Sequence, residues 1–181
     1  MKYILFFITS MLLAFTSYGQ VRNTKWGMSK QQVLLSESIK PSINNKDGLT
    51  YDVRLAGLEN YLFYFFNSEG KLSAAAYSLS EKYAIENSYL SDYLSLLSKL
   101  KEKYGDGSPE IDWSNDLYKD DKQKWGLAIA AEHLKILHRW ETEDTNITME
   151  ISGKNFDVSV AIRYMSKVIK LQGDTNDLND F

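Results

Sequence analysis

Leu49-Thr50-Tyr51-Asp52-Val53-Arg54-Leu55 places an apolar side chain at every second position and a polar one between each pair. A period of two marks a strand with one buried and one wet face. Gly57 breaks the run, and Tyr61-Leu62-Phe63-Tyr64-Phe65-Phe66 follows, apolar throughout. Such a segment suits a central strand with cover, or a functional contact, on both sides. Tyr61, Phe63 and Phe65 point one way; Leu62, Tyr64 and Phe66 point the other. Asn67-Ser68-Glu69-Gly70 then offers a hairpin loop, with glycine where a positive φ is needed. Lys71 to Leu79 is the returning strand.

Helices flank this core. Ser29 can N-cap a short helix reaching about Ser38, its hydroxyl accepting from the free first-turn amides, and Pro41 ends it. From about Asn87, apolar residues recur at spacings of three and four through Leu90, Tyr93, Leu94, Leu97, Leu100 and Tyr104. Lys99, Lys101 and Lys103 oppose the negative end of that helix dipole, and Gly105 and Pro109 stop it. A weaker helix is expected within Leu117 to Glu132, interrupted by Gly126. Alternation then returns at Leu134 to Trp140, Ile147 to Ile151 and Phe156 to Tyr164, with Ser152-Gly153-Lys154-Asn155 as a second hairpin loop. Tyr77 and Tyr164 close the two meanders at corresponding places. The expected fold is α+β: two tandem helix-plus-three-stranded antiparallel meander modules, six strands in all, with helices on one face of the sheet. The first module spans residues 20–80 and the second 81–169. Residues 170–181 form a flexible acidic tail.

Composition narrows the function classes. The 181 residues carry a net charge of −3 and contain no cysteine. There is therefore no disulfide framework, thiolate metal site or cysteine nucleophile. A pI near 5.5 argues against nucleic acid as a partner. Met1-Lys2, the apolar run Tyr3 to Phe15, and the small residues Ser17 and Gly19 lay out a secretory signal peptide cleaved near Gly19. Its removal takes away Lys2 and no acid, shifting the charge from −3 to −4. No second long apolar run follows, so no transmembrane span is expected after cleavage. An exported chain without cysteine fits a bacterial envelope better than oxidising eukaryotic secretion, which places the protein in the periplasm or outside the cell.

Little points to chemistry. The two histidines, His133 and His138, point to opposite faces if they share a strand, which is wrong for joint metal ligation. Asp112, Asp116, Asp120 and Asp121 form the densest acidic group. Read as a calcium loop from Asp112, it has Leu117 at the glycine position and Gln123 at the closing glutamate. Lys119, Lys122 and Lys124 interleave with it as in a solvated mixed-charge loop. No cofactor or metal is called for. Aromatics are the better clue, because Tyr and Phe supply contact area at low entropic cost. Tyr61, Tyr64, Phe66 and Tyr77 are the candidate binding residues on the helix-free face of the sheet, with the outward parity left open.

Gly27-Met28-Ser29-Lys30-Gln31-Gln32-Val33 resembles the helix-opening motif of the small BamE (SmpA/OmlA) family, which serves the outer-membrane barrel-assembly machine. Phe66-Asn67-Ser68-Glu69-Gly70-Lys71-Leu72 is similar to the hairpin joining that family's last two strands. The resemblance covers residues 26–80. The tandem-module architecture resembles that of the β-lactamase inhibitory proteins. Both likenesses imply binding rather than catalysis. The chain lacks the family's lipid-bearing cysteine, and its second half lacks the Gly-Met-Ser opening. The expectation is an exported, non-catalytic interaction module whose partner is another envelope or exported protein. A small envelope hydrolase using carboxylates of the 110–121 loop, or a carrier of an apolar ligand, is the alternative.

Overall fold

The computed structural model describes residues 20–46 and 48–170. The signal peptide expected at 1–19 and, apart from Lys170, the tail expected at 170–181 lie outside the described residues. The chain opens with a two-stranded hairpin, β1 (Gln20–Val21) and β2 (Thr24–Lys25). Helix α1 (Lys30–Ser36) begins as expected: the Ser29 side chain accepts from the Gln32 amide, and Gln32 Oε1 accepts from the Ser29 amide at 2.8 Å. This reciprocal capping box satisfies two otherwise orphaned donors. The helix stops at Glu37, whose backbone is extended, ahead of Pro41.

Strands β3 (Ile43–Asn45), β4 (Gly48–Leu55), β5 (Leu58–Phe66) and β6 (Leu72–Leu79) follow. Then come α2 (Glu86–Tyr104), β7 (Ser108–Trp113), α3 (Trp125–Ala130), β8 (Leu134–Glu141), β9 (Thr145–Lys154) and β10 (Asp157–Ser166). The strands from β3 onward form one eight-stranded antiparallel sheet in the order β3-β4-β5-β6-β10-β9-β8-β7.

That order corrects the expected fold. The protein is built on one continuous sheet, not on two helix-plus-three-strand modules. Two additional strands, β3 and β7, lengthen the meanders at their outer ends. At the centre, β6 and β10 pair antiparallel, with Tyr77 opposite Ile162 and Ala75 opposite Tyr164. The physical reason lies in the edges. A lone meander would leave a row of unpaired N–H and C=O groups on its last strand, and joining β6 to β10 satisfies both rows at once. The Tyr77 and Tyr164 rings meet edge to face at that seam, 6.3 Å apart.

All helical packing lies on one side of the sheet. Helix α2 packs on β9, β10 and α3, and α3 packs on β8, β9 and β10. Tyr93, Leu96, Leu97 and Leu100 of α2 are buried with Leu49, Tyr51, Leu62, Tyr64, Met149, Ile151 and Ile162 of the sheet. Val33 of α1 joins the same core and is fully buried. Trp26 ties the opening segment to β9 by donating from Nε1 to Thr145 Oγ1 at 2.8 Å.

Two local expectations need revision. The helix sought within 117–132 is divided into 3-10 turns at Asp116–Tyr118 and Lys122–Lys124, followed by the six-residue α3. Asn115 and Asp121 side chains accept from the amides of Leu117 and Gln123, and these local caps compete with a continuous helix. The second hairpin loop also lies further along. Strand β9 continues through Ser152-Gly153-Lys154, and the reversal is made by Asn155 and Phe156, at φ 51° and 66°. Gly153 is needed in the strand, since a Cβ there would sit 2.0 Å from the Ile129 carbonyl oxygen where α3 crosses β9.

Candidate interaction face

Parity on β5 is set by its neighbours. Leu49, Tyr51 and Val53 of β4 face the helices and are buried. Across the Ala56-Gly57 turn, Leu49 pairs with Tyr64, Tyr51 with Leu62, and Val53 with Asn60. Directly opposed residues share a face, so Asn60, Leu62 and Tyr64 also point inward. Tyr61, Phe63 and Phe65 are left on the opposite side.

The four candidate binding residues therefore separate. Tyr64 is fully buried and Tyr77 nearly so, both beneath the helix layer. Phe66 follows a β-bulge after Phe65 and packs against the core edge. Tyr61 alone faces outward, 44% exposed. Its ring lies 6.3 Å from that of Phe63, and Phe63 stacks on Phe65 at 6.2 Å, making a three-ring ladder along β5.

The floor beside this ladder is made of small side chains. Phe65, Phe63 and Tyr61 stand opposite Ala74, Ala76 and Ser78 of β6. Ala161, Arg163 and Met165 of β10 come next in register. Beyond them Glu150 of β9 takes Lys135 at 3.1 Å and Arg163 at 3.6 Å. Ser152 donates to the same carboxylate at 2.9 Å. Glu150 and Arg163 are mostly covered, with side-chain exposures of 16% and 12%. One face thus carries an aromatic ridge, a low alanine strip and an ion-paired polar ridge. A depression of about 490 Å³ runs along the polar side between Lys82, Lys135 and Asp157. Tyr61, Phe63, Phe65, Ala74 and Ala76 stand apart from the core that the sheet shares with α2 and α3.

On the helix side, Glu37 is the polar focus. Its side chain is wholly buried and receives the Tyr64 hydroxyl at 2.5 Å and Arg22 Nε at 3.1 Å. Burial, and then this bond to Glu37, push the Tyr64 hydroxyl far above its ordinary pKa, so it stays a donor. Neither Arg22 nor Glu37 carries a sequence signal for the pairing, which is made across fifteen residues of chain.

The titratable groups weighed for chemistry lie apart. His138 points inward, its Nδ1 2.9 Å from the Tyr93 hydroxyl and its ring stacked on Trp140. His133, just before β8, stacks on Tyr118. In the 110–121 segment Glu110 pairs with Arg139, Asp116 with Lys119 and Asp121 with Lys124. Among the described residues, no group of three or more His, Asp or Glu could hold a metal ion. No helix there is long and apolar enough to cross a membrane.

His138 makes a prediction on stability. Burial, and secondarily the charge of Lys101, hold its imidazole below the ordinary 6.5. The unfolded chain therefore binds the proton first as pH falls. The contribution of neutral His138 is complete above about pH 6.5 and is lost progressively below it. Urea midpoints should fall between pH 7 and pH 5, and His138→Gln should flatten that fall. A midpoint equally pH-dependent in the variant would place the effect elsewhere.

A scan of protein-family models finds no match to this chain, and neither curated proteins nor solved structures yield one.

Proposed function

We propose that this chain is an exported, non-catalytic interaction module of the bacterial cell envelope, holding another envelope or exported protein against the helix-free face of its sheet. The observation that carries the reading is the Tyr61-Phe63-Phe65 ladder, set over alanines on a face that stands apart from the core shared with α2 and α3. Tyr61, 44% exposed at the end of the ladder, offers an aromatic knob to a partner, and the Glu150-Arg163-Lys135 ridge adds polar register. Export is supported by the basic, apolar and small-residue order of Met1 to Gly19.

The test begins with capture of partners from the host's solubilised envelope, followed by reconstitution with the purified candidate. Tyr61→Ala and Phe63→Ala should each weaken the reconstituted complex at least about tenfold, as substitutions at an interface centre do. The far-ultraviolet circular dichroism of both variants should match that of the parent protein. A complex indifferent to both substitutions would overturn this choice of face.

A further inference from the structure

Two adjoining cavities open on the other side of the sheet, between the β1–β2 hairpin and the C-terminal half of α2. The smaller, about 170 Å³, has an apolar floor of Leu55, Leu96, Leu100 and Ile162 and is also lined by Tyr77 and Tyr164. Its charged lining residues are Arg22, Lys99 and Lys103, with no acid among them. The larger, about 340 Å³, shares Val21, Lys103 and Tyr164 and brings in Glu143 and Asp144. Acid thus lines only the larger of the two, while Lys103 borders both.

We infer that the smaller cavity is a binding site for an aryl carboxylate, its ring on the leucine floor and its anionic group among Arg22, Lys99 and Lys103. Size sets the body of the ligand. Drug-sized ligands occupy about 300–1,000 Å³, whereas an apolar cavity of about 150 Å³ accommodates benzene, so 170 Å³ suits one ring. Charge sets the head group. Arg22 is already engaged by Glu37 at 3.1 Å, and Lys99 by the exposed Glu102 at 3.2 Å. Lys103 has no carboxylate within ion-pair distance among the described residues and lies 4.8 Å over the Tyr104 ring. It is the cation best placed to take an incoming carboxylate. Burial holds the Tyr77 hydroxyl at about 12 and raises that of Tyr164, so at neutral pH both remain donors. This site is independent of the aromatic face, and either can fail alone.

Titration of the isotope-labelled protein with phenylacetate tests it, using benzylamine, benzyl alcohol and acetate for comparison. Phenylacetate should shift Tyr77, Leu100 and Tyr164 resonances saturably, with a Kd of about 1 mM or tighter for so small a ligand. Lys103→Met, an exposed substitution, should weaken it at least about tenfold by removing the free cation. Benzylamine should leave these resonances unmoved. The inference is overturned if phenylacetate gives no saturable shift or Lys103→Met leaves its Kd unchanged. Comparable binding of benzyl alcohol or benzylamine would remove the anion from the assignment, and comparable binding of acetate would remove the ring.

Discussion

Tyr64→Ala is expected to cost about 3–5 kcal/mol of stability, the usual loss for truncating a buried aromatic, whereas Tyr61→Ala should cost about 1 kcal/mol or less. The two residues are three apart on one strand and alike in chemistry. Tyr64 is fully buried, meets Tyr51 edge to face at 5.9 Å, and gives its hydroxyl to Glu37 at 2.5 Å. Truncation there opens a cavity and strips a buried carboxylate of one donor. Tyr61 keeps 44% of its surface in water, and its ring meets that of Phe63 at 6.3 Å on the outward face. Equilibrium urea unfolding of both variants decides the matter. Similar large losses would mean that the face carrying Tyr61 is structural, and the proposed function would lose its surface.

Arg22→Met should destabilise the fold by about 3 kcal/mol, at the low end for breaking a buried ion pair because the arginine itself is partly exposed. Glu37 has a side-chain exposure of 0% and Arg22 one of 31%, so the cost falls on the carboxylate left behind. The hairpin holds Arg22 in place at φ 56°, a left-handed backbone that few long side chains adopt. The double variant Arg22→Met with Glu37→Met should recover most of the loss, because a charge no longer needs a partner when neither remains. Thermal and urea unfolding of the two single variants and the double provide the cycle. A double variant as unstable as Arg22→Met would mean that the arginine acts through packing of its stem.

Much of this architecture was legible in the residues. The alternation at 49–55 is strand β4, the leucine and tyrosine stripe from Leu90 to Tyr104 is α2, and Ser29 caps α1 as its hydroxyl suggests. Strands β5, β6, β8, β9 and β10 also fall where apolar runs stand. Strands β3 and β7 escaped notice because edge strands need no apolar face: Ile43-Asn44-Asn45 is exposed, and β7 is exposed or nearly so from Ser108 to Trp113. Pro109 and two acids on β7 read as loop, yet these residues also blunt an edge against further pairing.

The outward face was closer to hand than the expectation allowed. A two-residue turn at Ala56-Gly57 joins the inward positions of β4 to Leu58, Asn60, Leu62 and Tyr64, and so assigns Tyr61, Phe63 and Phe65 to the other side. The candidate set of Tyr61, Tyr64, Phe66 and Tyr77 mixes the two faces and omits Phe63 and Phe65, because both faces of β5 are equally apolar. Hydropathy cannot rank two such faces; cross-strand register can.

The sequence by itself determined strands β4, β5, β6, β8, β9 and β10 and the Ser29 cap, since each depends on residues a few positions apart. Tertiary structure alone decided that β6 meets β10, that Glu37 is paired with Arg22 and takes a hydrogen bond from Tyr64, and that Arg22, Lys99 and Lys103 gather over one apolar cavity. Those contacts join residues remote in the chain. Their energies come from edge hydrogen bonds and buried charge that exist only once the sheet has closed at its centre.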